Sequence, residues 1–351
     1  MKITQILLRL RYSSLGRLVL ALLGTVVAIC VVLLVSAQSD TYIANAGAMT
    51  IAILGLSLLT GWSGQVSIGN SGFMAVGAFT TGIWANHHQS SPIIISLLLS
   101  ILTGAIAGLL VGIPATRLKG PYLAGMTLAF VTAMVPFIQS LGKLTGGSGG
   151  LFFANLSSPS WFANLSGDPQ NFIVANYRWA ATVSVVITGV ACYFMSNLFA
   201  SRAGRAMRLV RDNDVAAELM GVNLGRVRVG AFVISAAYAG LAGSLVALLS
   251  GVARADNFGL ALSIEILSLL VLGGIGTLSG ALMAGLLAAY ASTLIAKLNA
   301  LFGLNPYSNL GSNSQGIIFG LLLVVTMLTA PQGMAGLLKK ISHLRARKEA
   351  E

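Results

Sequence analysis

The sequence predicts an all-α, polytopic membrane protein of about ten transmembrane helices with one broken or re-entrant polar segment. Three observations carry this. Hydrophobic side chains make up 56% of the 351 residues and charged ones 9%, with a mean hydropathy of +0.86, more apolar surface than a water-soluble globule can bury. Apolar runs near the ~20 residues that a bilayer core requires recur along the whole chain. Most of the charge falls between those runs.

The runs lie at about 18–36, 43–60, 70–85, 93–113, 121–141, 179–200, 229–250, 261–278, 279–298 and 313–330, each close to one bilayer crossing. Residues 1–17 form a basic arm before them, 18–330 the transmembrane domain, and 331–351 a basic tail suited to anionic headgroups of membrane lipid. The 41 glycines argue for helices packed closely in lipid. Gly104, Gly108 and Gly112 lie on one helix face, and the pairs Gly276/Gly280 and Gly316/Gly320 repeat that spacing.

An even number of spans puts both termini on one side, and the distribution of basic residues says which. Four basic residues lie in the arm, two at Arg117 and Lys119, six in 201–228 and five in the tail, 17 of the 21. Lys143, Arg178, Arg254 and Lys297 are the remainder. Both termini are therefore expected in the cytoplasm, with 142–178 an extracytoplasmic loop. Val35-Ser36-Ala37 also reads as a signal cleavage site after a basic start, but the apolar stretch of about 18 residues exceeds the 7–15 of a signal core.

The net charge of +12 lies on loops and ends, which argues for a membrane surface rather than nucleic acid. Cys30 and Cys192 sit in apolar stretches and read as small hydrophobes. The adjacent His87 and His88 do not make a metal site, and no cofactor or catalytic residue is expected. The sequence has no G-x-x-x-x-G-K-[ST] phosphate loop and no nucleophile–base signature, so any ATP hydrolysis belongs to other chains.

Polar groups inside apolar surroundings mark a candidate path. The stretch Gly61-Trp62-Ser63-Gly64-Gln65-Val66-Ser67-Ile68-Gly69-Asn70-Ser71-Gly72 is too polar and too glycine-rich for a lipid-facing helix. It reads as a helix break lining a translocation path, with Gln65, Ser67 and Asn70 as pore groups, or as a turn between two helices. Glu265 stands in the apolar run Leu262–Leu267, where a carboxylate must be protonated, paired or hydrated. Arg254 is the nearest basic residue in sequence, and a structural pair and a gating role both remain open. Thr145, Gly146, Gly147, Gly149 and Gly150 suggest a hinge or an extracytoplasmic contact, or a flexible loop.

Several segments, spread over about 60–335, resemble LivM-type permeases of branched-chain amino acid ABC importers. They are Thr60–Gly69, similar to T-G-x-x-G-Q-x-S-x-G; Leu118–Ala124, similar to L-R-G-x-Y-L-A; and Leu144–Leu151. The series continues with Ser201–Arg208 followed by Ala216–Gly221, and with Val271–Gly280, similar to V-L-G-G-x-G-[ST]. The resemblance implies a bacterial inner-membrane permease that is not itself an enzyme. It implies as partners a second homologous permease subunit, two cytoplasmic ATPase subunits and an extracytoplasmic solute-binding protein. It also places the ATPase contact in 201–228, with Arg205, Arg208 and Arg211 on a helix and Ala216, Ala217, Glu218 and Gly221 at the contact; the other reading is that these arginines only fix topology by staying cytoplasmic. Val215 stands where ABC importer permeases carry glutamate. The family shades into permeases for urea and short amides, and an ATP-independent secondary transporter or channel is the reading from another class.

Glu265→Gln keeps the side-chain shape and removes the charge. We expect this variant to assemble normally and to transport more slowly, measured as uptake into membrane vesicles. Wild-type uptake would remove the gating role.

Overall fold

A computed structural model of the chain describes residues 14–34, 37–88, 92–118, 120–153, 156, 158–165 and 172–301, together with 324, 333, 334 and 336. Among them the helices are α1 (Ser14–Leu34), α2 (Ala37–Leu56), α3 (Asn70–His87), α4 (Ile93–Ala115), α5 (Pro121–Ser140) and the short α6 (Gly142–Thr145) and α7 (Ser160–Leu165). They continue with α8 (Phe172–Ala200), α9 (Arg202–Asp212), α10 (Asp214–Leu219), α11 (Leu224–Ser250), α12 (Leu260–Gly273) and α13 (Leu278–Leu301). Two two-residue strands, β1 (Leu151–Phe152) and β2 (Val252–Ala253), pair antiparallel.

Seven of these helical stretches are long and apolar enough to cross a membrane: Leu15–Leu34, Ser39–Trp62, Ile93–Ala115, Pro121–Ser140, Val174–Ala200, Leu224–Ser250 and Ala255–Gly273. The expected crossing at 70–85 is also a helix, α3, but it carries Asn70, Ser71, Thr80 and Thr81 and falls outside that group. It accommodates these polar residues because protein encloses it: Asn70, Ser71 and Thr81 are all buried. The expected span at 313–330 falls almost wholly outside the described residues, as do Gly316 and Gly320.

The centre of the bundle is α11, packed against α2, α3 and α4. Ala231, Ala236, Ala239, Gly240, Ala242 and Gly243 give it a surface almost without side chains, so neighbouring backbones come into contact. A Cβ at Gly243 would overlap the Met74 carbonyl, and one at Gly77 the Gly240 carbonyl. The expected glycine face of α4 is realised here. Gly104 and Gly108 meet Ala236 and Gly112 meets Phe232, all on α11. On the rim, α1 packs on α8 and leaves Leu15, Leu22, Leu23 and Val27 more than half exposed, as a lipid-facing helix does.

Two helices begin earlier than hydropathy predicts. α2 starts at Ala37 instead of about 43, and α8 at Phe172 instead of about 179. Asp40 and Arg178 explain both extensions. Each is a charge that ends an apolar window, yet they face each other at 3.8 Å, with the Asp40 side chain fully buried. The run predicted over 261–278 stops at Gly273, because Gly274 and Gly276 take φ of +113° and +77°, which L side chains rarely adopt. Gly276 therefore lies in a turn, not on a packing face with Gly280.

Gly243→Val should overpack the α3–α11 contact and cost about 1–3 kcal/mol. Thermal unfolding in detergent should show a lowered midpoint, with a smaller change for Gly230→Val, where a Cβ meets nothing.

Candidate functional site

α2 does not end as an α-helix. Ser57–Trp62 is a π-helical turn, with Ser63 N–H donating to the Leu58 carbonyl at 3.1 Å, followed by Gln65 N–H to Leu59 O at 3.1 Å. Such turns hold an extra residue and recur at functional sites. Residues 63–69 then run without regular structure until α3 starts at Asn70.

This irregular stretch climbs alongside α5. Gly64 and Val66 share a cleft with Gly120 and Leu123, Ile68 N–H donates to Thr127 Oγ1 at 3.0 Å, and Phe73 stacks on Phe130. From Pro121 to Phe130, α5 advances about 14 Å at 1.5 Å per residue. Freed backbone groups find partners on the way. Thr60 Oγ1 donates to Gln65 O and Gly69 N–H donates to Ser67 Oγ. Ser71 N–H donates to Ser263 Oγ on α12, while Ser71 Oγ donates to Gly259 O.

The three expected pore residues are enclosed in this arrangement. Gln65, Ser67 and Asn70 are buried. Gln65 Nε2 donates to Ser63 Oγ at 2.6 Å and to Arg228 O at 3.2 Å, and Asn70 Nδ2 to Ala52 O at 3.4 Å. Gln65 nonetheless borders a polar cleft of about 370 Å³ with Ser63, Arg211, Asp212, Asp214 and Arg228. Glu265 is half-buried on α12, outside that cleft and on the same helix as Ser263.

The cleft joins the irregular stretch to α9 and α10. Each helix of the 201–228 stretch is capped by its preceding side chain. Ser201 accepts from Gly204 N–H, Asn213 from Ala216 N–H and Asn223 from Arg226 N–H, which satisfies amide groups at each helix start. Gly221, at φ +78°, closes the turn after α10. Arg205, Arg208 and Arg211 all lie on α9 but serve different ends. Arg205 bonds to the Ala200 carbonyl, Arg208 lies over the Trp62 ring, and Arg211 donates to Gly61 O and pairs with Asp212. On α10, Ala217 is fully buried inside the chain while Val215, Leu219 and, just past the helix end, Met220 are 66%, 85% and 72% exposed. Glu218 is exposed and Ala216 half-buried.

Sequence reasoning does not single out Trp62, although it sits in the Gly61–Gly69 segment. Its Nε1–H donates to Gly276 O at 3.0 Å. Gly276 N–H in turn donates to Ser57 Oγ. A Cβ on Gly61 would strike the Gly276 backbone. The signal present in the sequence is an aromatic beside a glycine, together with a second glycine-rich segment at 273–276.

At the opposite end, Thr145–Gly150 form ordered turns. Thr145 is buried and its Oγ1 donates to Ile138 O at 2.7 Å. Gly146, Gly147 and Gly150 have positive φ. Gly150 lies against the Arg254 side chain, just before β1 pairs with β2. Among the described residues, no three His, Cys, Asp or Glu side chains come together as a metal site.

Residues 38–327 match the family described as branched-chain amino acid transport system / permease component. Among similar proteins, the high-affinity branched-chain amino acid transport system permease protein LivM of Salmonella typhimurium is 30% identical over 328 residues, which cover 86% of this chain and 73% of that protein. LivM of Escherichia coli is 29% identical over 330 residues, covering 87% and 73%. The permease protein LivH of Salmonella typhimurium is 28% identical over 211 residues, covering 60% and 64%. No solved structure matches. With apolar helices of spanning length and a match over most of its residues, the chain belongs to the permease components of branched-chain amino acid transport systems.

Proposed function

We propose that this chain is the LivM-type permease subunit of an ATP-driven importer that carries branched-chain amino acids across the bacterial inner membrane. The observation that carries this is the family match over residues 38–327, with relatives named as LivM permeases over most of the chain. The similarity to LivH proteins as well supports pairing with a second, homologous permease. The absence of a phosphate loop from the sequence supports placing ATP binding in two separate ATPase subunits. An extracytoplasmic binding protein would deliver the substrate. The ten apolar runs and the basic-residue distribution support ten crossings with both termini in the cytoplasm.

In this reading the α9–α10 unit meets the ATPase, and ATP binding biases the helices between states open to opposite sides. Val215, Leu219 and Met220 supply the apolar contact, with Glu218 and Gly221 beside them. Ala217 supports the unit from within. The path runs through the break at Gln65, Ser67 and Asn70 and past Glu265. Burial of the first three supports a path closed at that point in this conformation. The glycine turns at Thr145–Gly150 would face the binding protein.

Two measurements test this. The complex reconstituted with its partners in liposomes should take up leucine only with ATP and loaded binding protein. Leu219→Glu should lower uptake about tenfold, as loss of about 1.4 kcal/mol of contact would, with insertion unchanged; undiminished uptake overturns the contact. Separately, with Cys30 and Cys192 replaced by serine, single cysteines at 65, 67 and 70 should resist a hydrophilic thiol reagent without nucleotide. They should react once a non-hydrolysable ATP analogue is bound. Protection of all three in every nucleotide state removes the path assignment.

A further inference from the structure

Trp62, the last residue of the π-helical turn, is held by three separate parts of the chain. One face of the indole lies flat on Phe199 near the end of α8, with ring centroids 3.9 Å apart and planes 1° from parallel. The Arg208 guanidinium of α9 also lies over the ring, 4.1 Å from its centroid. The edge donates from Nε1 to Gly276 O in the turn between α12 and α13. One residue earlier, Gly61 O accepts from Arg211, also of α9. α9 is thus attached at two points, Arg208 and Arg211, to the residues directly before the irregular stretch 63–69.

We propose that Trp62 is a positioning residue that carries displacement of α9 to the broken segment, so that movement at the ATPase contact resets the chain at Gln65. This rests on the reading of the protein as an ATP-driven permease with α9–α10 at that contact. The π turn is suited to the task. It holds one residue more than α-helical winding would, and taking up or releasing a residue rotates the downstream chain by about 100°. Gln65, three residues on, is held by side-chain bonds to Ser63 Oγ and Arg228 O and by its backbone bonds to Leu59 and Thr60. A guanidinium stacked on indole adds directional attachment without a covalent or salt-bridge tether. The two arginines therefore differ from Arg205, which bonds to the Ala200 carbonyl at the end of α8 and not to the residues before the irregular stretch.

A tryptophan that merely filled space would affect assembly and leave the yield of transport per ATP unchanged. The test uses the full complex in liposomes and measures leucine carried per ATP hydrolysed for Trp62→Leu, Arg208→Gln and the double variant. Each single variant should hydrolyse ATP but carry about fivefold less leucine per ATP. The double variant should fall no further than the more impaired single one, because both act through one contact. A wild-type ratio for Arg208→Gln, or single effects that multiply in the double variant, overturns the proposal. Should Trp62→Leu fail to assemble, Arg208→Gln decides alone, since Arg208 is exposed and its loss spares the core. A wild-type complex without ATP-dependent leucine uptake is a separate outcome, which removes the parent reading and this inference with it.

Discussion

Backbone-to-backbone contact along α11 is the constraint on which the rest of the structure depends. Where lipid replaces water, helices gain little from apolar attraction and associate by close packing instead. The Gly77–Gly240 and Gly243–Met74 contacts bring α3 against α11, while Gly104 and Gly108 do the same for α4. With α3 and α4 seated, α5 flanks the start of α3 and lies against the irregular stretch 63–69. Larger side chains at these positions would displace the wall against which that stretch finds its hydrogen-bond partners.

Those partners decide whether irregular backbone can be buried in the bundle. Unpaired amides there would be costly, so the hydroxyls of Thr60, Ser67, Thr127 and Ser263 stand in for the missing helix ladder. The same hydroxyls, being rotatable, can exchange partners at less cost than a buried backbone ladder. A polar segment enclosed by hydroxyls is stable when closed and inexpensive to rearrange.

Much of this was legible in the sequence. The apolar runs locate the nine longest helices among the described residues, the glycine spacing on α4 identifies its packing face, and the polar composition of 61–72 coincides with the irregular stretch between α2 and α3. Other features depend on partners distant in sequence. The early starts of α2 and α8 depend on Asp40 meeting Arg178, about 140 residues away, and hydropathy sees each as an isolated charge. Ala217 looks like a contact residue because it is small, but smallness serves inward packing equally well, and the structure gives it that role. Trp62 has no local pattern to distinguish it from an ordinary interfacial tryptophan. Its importance appears only when Phe199, Arg208 and Gly276 converge on it.

The two-residue pairing of β1 with β2 has a consequence for how the chain is made. Leu151 pairs with Ala253 and Phe152 with Val252, so about 100 residues separate the partners. A ribosome adding about 5–20 residues per second needs roughly 5–20 s to deliver the second strand after the first. During that interval the turns at Gly146–Gly150 lack both the β2 strand and the Arg254 side chain they rest on. Two further helices of spanning length, α8 and α11, must be made before this rim can close. The ribbon is thus a late-setting clasp, and its formation marks the point in synthesis at which the rim is tied across both halves of the polypeptide.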